Sequence, residues 1–154
     1  MRNKNLPKLL SEFAYNFNPS DLPISSSSIF KICLADWVSV SIAAQGSNIA
    51  KIILSLTKEE GRVQDSFIFG HKSYVSCKTA ALINGTISHA LDYDDTHFDY
   101  LGHPSVVVLS SALAISDKYN LSFEEFKNAS IIGMETSCRI GKWLGKKHYR
   151  SGFH

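Results

Sequence analysis

The sequence predicts an all-α fold, and three observations carry that prediction. Apolar residues recur at helical spacing in segment after segment along the chain. Only Val63–Phe69 reads as a strand, with Phe67, Ile68 and Phe69 ahead of Gly70 and no partner in view. Ser122 and Glu125 form a capping box, spanned by a Leu121–Phe126 hydrophobic staple, the strongest helix start in the chain.

Pro7 opens a first helix that carries Leu6, Leu9, Leu10, Phe13 and Phe17 on one stripe and ends before Asn18-Pro19. After the serine run Ser25–Ser28, a second spans Ile29–Ala44, with Ile29, Ile32, Cys33, Asp36, Trp37 and Val40 on one face and Gly46 as its stop. A short amphipathic helix covers Asn48–Leu56. Ala-rich Ser76–Leu91 is helical again, and Ser105–Tyr119 is apolar on most sides and therefore buried. The last helix runs from the capping box to about Leu144. Within it Gly133, Ser137, Gly141 and Gly145 recur every fourth residue, a stripe that lets another element approach closely.

The 154 residues fit one domain with an ordinary core, and 44% hydrophobic with 19% charged residues exclude a disordered tail. A net charge of +2 without aromatic interleaving gives no reason to expect a nucleic-acid partner. Cys33, Cys77 and Cys138 are far apart and form no CxxC pair, so reduced, buried thiols are expected rather than a zinc site or disulfides. No run approaches the ~18 apolar residues of a membrane span, and the N-terminus lacks a signal-peptide core. The expectation is a cytoplasmic protein without a membrane partner.

Function is concentrated in Ser88–Pro104, SHALDYDDTHFDYLGHP, where four aspartates and three histidines lie between apolar helices. If the preceding helix persists through Thr96, then His89, Asp92 and Thr96 share a face, with Asp95 beside them and Asp94 turned away. Like charges at Asp92 and Asp95 disfavour joint ionisation, which makes the pair a candidate proton carrier. His103 precedes Pro104 and falls at the N-cap of the next helix, where the positive end of the dipole favours a neutral imidazole able to act as a base. His97 reads as peripheral. Arg139, Lys142, Lys146, Lys147, His148 and Arg150 form a basic tail that suits a helix C-terminus or draws an anion.

At these motifs the chain resembles the MmgE/PrpD family, which includes the 2-methylcitrate dehydratases of propionate metabolism, cis-aconitate decarboxylase and iminodisuccinate epimerase. The resemblance rests on Asn84-Gly85-Thr86 leading into His89-Ala90-Leu91-Asp92-Tyr93-Asp94-Asp95-Thr96, on Gly102-His103-Pro104-Ser105, and on the terminal Gly152-Phe153-His154. It implies that residues 1–154 are the N-terminal part of the family's helical domain, cut from a longer protein before its lid and inactive alone. It also implies a homodimer in the full-length form and a lyase acting on small di- or tricarboxylates without a metal or other cofactor. Carried over by motif, the catalytic positions are Asp92, Thr96, His103 and His154. Asp95, Arg139 and Lys142 are the candidates for holding substrate. Dehydration, decarboxylation and epimerisation all remain open on sequence. Two other classes stand beside this reading: a non-catalytic helical oligomer or binding module, and a Mg²⁺-dependent isoprenoid synthase suggested by Asp94-Asp95-Thr96-His97-Phe98-Asp99.

Overall fold

The computed structural model describes residues 5–60 and 63–152, and among them the fold is helical apart from one small hairpin. The helices are α1 (Leu6–Tyr15), α2 (Ile24–Ala43), α3 (Asn48–Leu54), α4 (Cys77–His89), α5 (Pro104–Lys118), α6 (Phe123–Leu144) and α7 (Lys146–Arg150). Proline sets the start of α1 and α5 by occupying a position whose N–H has no helical partner. The capping box at α6 is present in both halves: Glu125 N–H donates to Ser122 Oγ at 3.2 Å, and Ser122 N–H donates to Glu125 Oε2 at 2.7 Å.

Helix α2 starts earlier than its apolar pattern suggested, taking in Ser25–Ser28 directly after Pro23. Its buried face is also rotated. Phe30, Trp37, Val40 and Ser41 point inward, whereas Ile29 and Ile32 are exposed. A helix apolar on nearly every side offers several candidate stripes, so spacing alone did not choose between them. By length and composition Ile24–Gly46 would also pass as a membrane span. Here its Phe30 and Trp37 sit in a core cluster with Leu109 and Phe126, and Trp37 Nε1 donates to Ser110 Oγ at 3.2 Å.

The strand-like segment does have a partner. Ser66–Phe67 (β1) pairs antiparallel with Tyr74–Val75 (β2), turning through Gly70 at φ 79°. Two-residue strands are too short to show a period. What fixes the hairpin is polar: Asn84 Oδ1 accepts from Phe69 N–H at 2.9 Å, its Nδ2 donates to Phe67 O at 3.3 Å, and Ser66 Oγ donates to Ala114 O at 2.6 Å. Each of these groups is buried or half-buried, and each of these bonds satisfies a donor or acceptor that would be costly to leave unpaired.

Helices α4 and α5 pack against each other at the centre, with α2 across both, α3 on α4 and α6 on α5. The small-residue stripe of α6 has separate tasks. Gly133 lies under Val108 of α5, Gly141 lies under the backbone of Tyr100 and Asp99, and Gly145 ends the helix at φ 68°.

Candidate active site

The helix preceding the polar cluster stops at His89 and does not run on to Thr96. Asp92 is the reason: it takes φ 50°, in the left-handed region that aspartate tolerates better than most residues, and its N–H closes a turn on His89 O at 3.0 Å. With the chain reversed there, no continuous helix carries His89, Asp92 and Thr96, and Asp94 goes inward rather than outward.

Asp94 is the centre of the cluster, its side chain only 1% exposed. Its Oδ1 lies 2.8 Å from His89 Nδ1. Its backbone oxygen lies 3.2 Å from His103 Nδ1, and its Oδ2 lies 3.3 Å from the same nitrogen without hydrogen-bond geometry. The two imidazoles meet edge to face, 4.8 Å between centroids. On the far side of the His103 ring, Nε2 stands 3.5 Å from Asp92 Oδ1, a carboxylate open to solvent. His103 is the N-cap residue of α5 in extended conformation, as the His-Pro pair requires, and its side chain makes no cap bond. It is therefore free for other partners.

Asp95 faces elsewhere. Its Oδ1 accepts Ser105 N–H at 3.2 Å and its Oδ2 accepts Ser105 Oγ–H at 2.5 Å, so it caps the first turn of α5 from across the chain. Its own N–H donates to Asp36 Oδ2 at 3.0 Å, which ties the loop to α2. Burial, and then the Asp95 charge, push the Cys33 thiol up to about 11. Asp92 and Asp95 thus belong to different surfaces and do not form the paired carboxylates expected from sequence. Asp94 and Asp95 also diverge, which leaves the isoprenoid-synthase reading without a shared Mg²⁺ face.

A cavity of about 610 Å³ opens over the cluster, lined by His89, Asp92, Thr96, His97, Phe98, Leu101, Gly102, His103 and Tyr149. Asp92, Thr96 and His103 therefore meet at one wall. Arg139 is not there: it pairs with Glu135 at 2.7 Å, lies over the Phe13 ring at 4.7 Å and lines a separate cavity against α1. Lys142 approaches Asp99 at 3.5 Å and so anchors the loop that forms the cavity rim. His154 lies outside the described residues.

That rim, residues 97–102, is a closed loop. His97 N–H donates to Gly102 O at 3.0 Å and Leu101 N–H to His97 O at 2.7 Å, with Leu101 held at φ 58°. A left-handed leucine is costly and persists only where its surroundings fix it, here through those bonds and the close seat on Gly141. His97 closes this loop through its backbone, while the residue itself is exposed.

His89, Asp92, Asp94 and His103 offer ligand atoms within 4.8 Å of one another, a donor set that a divalent cation can use. The same atoms also satisfy each other in part, with both Nδ1 nitrogens facing Asp94. A helix continued through Thr96 turns Asp94 outward, so the buried place of Asp94 follows from the early stop. No glycine lies between Gly85 and Gly102 to mark it, and an aspartate supplies the left-handed residue instead.

Comparison with curated proteins finds no match. The model of the MmgE/PrpD N-terminal domain matches residues 8–154, nearly the whole chain, with the all-α architecture in agreement; the chain belongs to the MmgE/PrpD family.

Proposed function

We propose that this chain carries the proton-handling wall of a carbon–oxygen lyase, a 2-methylcitrate dehydratase-like enzyme acting on a small di- or tricarboxylate without a metal. The observation that supports it most is the placement of His103 Nε2 and Asp92 Oδ1, 3.5 Å apart, on a cavity wall shared with Thr96. In this reading His103 Nε2 takes the proton from the carbon next to a substrate carboxylate. The electron pair left behind forms the carbon–carbon double bond as the hydroxyl departs on the neighbouring carbon. The hydroxyl leaves as water, taking its proton from a second group, for which the family pattern offers His154. Asp92 steadies the imidazolium formed on His103, and Thr96 hydrogen-bonds the substrate.

Substrate carboxylates need cations, and the residues lining the described cavity include none. Tyr149 brings α7 to its edge, whereas Arg139 lines a separate cavity, so the cations of α7 are the ones to test for this work. Epimerisation uses the same first step, and decarboxylation needs a proton delivered to the carbon left after CO₂ departs, so 2-methylcitrate, cis-aconitate and iminodisuccinate are the ligands to compare.

Ligand-induced stabilisation, measured with EDTA present, tests the proposal. A ligand at a hundredfold its Kd adds about 2.7 kcal/mol, a rise in Tm of roughly 5–10 °C for a chain of this size. 2-Methylcitrate is expected to give that rise, and Asp92→Asn with His103→Gln to abolish it. No shift with any of the three acids, or a shift that needs Mg²⁺, overturns the reading.

A further inference from the structure

We infer that Asp94 is a positioning residue that fixes which nitrogen of His103 faces the cavity, an inference that rests on the lyase reading only for its use in catalysis. Stability gives no reason for this carboxylate. It is buried, it stands where the chain has already turned, and its Oδ2 makes no hydrogen bond among the described residues. A buried, unsatisfied carboxylate oxygen is destabilising, so a site that keeps one is shaped by something other than folding.

The two oxygens near His103 Nδ1 are the Asp94 carbonyl at 3.2 Å and the Asp94 carboxylate at 3.3 Å. Both can only accept. These two nearer, sheltered oxygens outweigh the solvent-open Asp92 Oδ1, 3.5 Å from Nε2, and put the hydrogen on Nδ1, so that in the neutral ring Nε2 carries the lone pair. Nε2 is the nitrogen that stands beside Asp92 at the cavity wall. A free imidazole can carry its hydrogen on either nitrogen; Asp94 removes that choice and presents a base rather than a donor to whatever occupies the cavity.

His89 is held by the same carboxylate through its own Nδ1 at 2.8 Å. Asp94 therefore meets both rings, His89 through its carboxylate and His103 through its backbone carbonyl with Oδ2 beside it, and their edge-to-face contact at 4.8 Å keeps His89 against His103 as a lateral stop. This division makes an asymmetric prediction. Substituting Asp94 leaves the backbone carbonyl to accept from His103 Nδ1, whereas His89 Nδ1 loses its carboxylate acceptor. His89 is therefore the ring free to change its tautomer.

The test is side-chain ¹⁵N–¹H correlation of the histidines in the ¹⁵N-labelled chain, at a pH where the rings are neutral and with EDTA present. The result expected is the Nδ1–H form for both His89 and His103 in the wild type. Asp94→Ala should release His89 into a mixture of tautomers while His103 keeps Nδ1–H on the backbone carbonyl, and Asp94→Asn should shift His89 less. An Nε2–H signature for His103 in the wild type overturns the inference, as does a pattern unchanged in both variants. If the variants do not fold, the wild-type signature alone still decides it. Zn²⁺ added in place of EDTA gives the contrary outcome a clear form: if the ion moves the wild-type rings to the Nε2–H pattern, with Nδ1 as ligand, the quartet is a cation site and Asp94 a ligand. Because no substrate enters the measurement, a failed lyase assay leaves this result standing, and the reverse also holds.

Discussion

Replacing Gly141 by alanine tests whether the cavity rim is seated as described. A Cβ at this position would stand 2.6 Å from Tyr100 Cα, 3.1 Å from Asp99 O and 3.1 Å from Tyr100 O. Carbon atoms pack at about 3.5 Å or more, so α6 and the rim must separate by about 0.9 Å. All three obstructing atoms are backbone, and no side-chain rotation relieves them. Helix propensity favours alanine over glycine by about 1 kcal/mol, whereas overpacking of this kind costs about 1–3 kcal/mol. With the obstruction rigid the upper end applies, and the net loss is about 2 kcal/mol, or a fall in Tm of roughly 4–8 °C. Gly46→Ala is the control, since its Cβ would meet nothing within 4 Å. Differential scanning calorimetry of both variants decides the matter. A Gly141→Ala protein as stable as the wild type would refute the close seating, and with it the reason Leu101 is held left-handed.

Other expectations concern the scaffold. Asn84→Leu leaves the buried Phe69 N–H and Phe67 O without their side-chain partner, and should cost about 2–5 kcal/mol in chemical denaturation. Ser122→Ala removes one half of the α6 capping box and should cost about 1 kcal/mol by the same measurement. Hydrogen bonds from Thr79 and the Ser76 backbone hold Glu60 below its ordinary 4.5, and the Lys118 hydrogen bond holds Asp65 below its ordinary 3.8. Depressed carboxylates stabilise the fold above those ordinary values and lose that contribution as pH falls through the folded-state ones. Acid titration by circular dichroism should therefore show the loss below pH 4, with the Asp65 part absent in Lys118→Met. Cys33, raised to about 11, is the opposite case: its contribution is present below its ordinary 9.0 and is lost as pH rises through 11. Iodoacetamide at pH 8 should label it far more slowly in the native protein than in denaturant, read by peptide mass spectrometry.

How much of this was legible beforehand varies with the kind of signal. The α6 start, the proline starts of α1 and α5 and the place of His103 at a helix N-cap all rest on local chemistry, in which a few adjacent residues determine the backbone. The face of α2 and the hairpin at 66–75 depend on distant partners: Ser110 for Trp37, Asn84 and Ala114 for the hairpin. No local pattern encodes those. The site falls between these cases. The motif marks Asp92, Thr96 and His103, but their arrangement on one continuous helix does not survive the stop at His89. One aspartate at φ 50° turned Asp94 from an outward residue into the buried centre of the cluster. Arg139 and Lys142 were candidates on charge alone, and charge does not say which carboxylate a cation will meet. Each meets one within its own neighbourhood, Glu135 and Asp99.

The central claim is that the wall formed by Asp92, Thr96 and His103 binds a small polycarboxylate without a metal. Its most direct test is a titration of the ¹⁵N-labelled chain with 2-methylcitrate in EDTA, followed by backbone and histidine side-chain shifts. Saturable shifts centred on Asp92, Thr96, Gly102 and His103 are expected, and His103→Gln should abolish them. Shifts confined to the Arg139 cavity, shifts that need a divalent cation, or none at the His103 wall would contradict it.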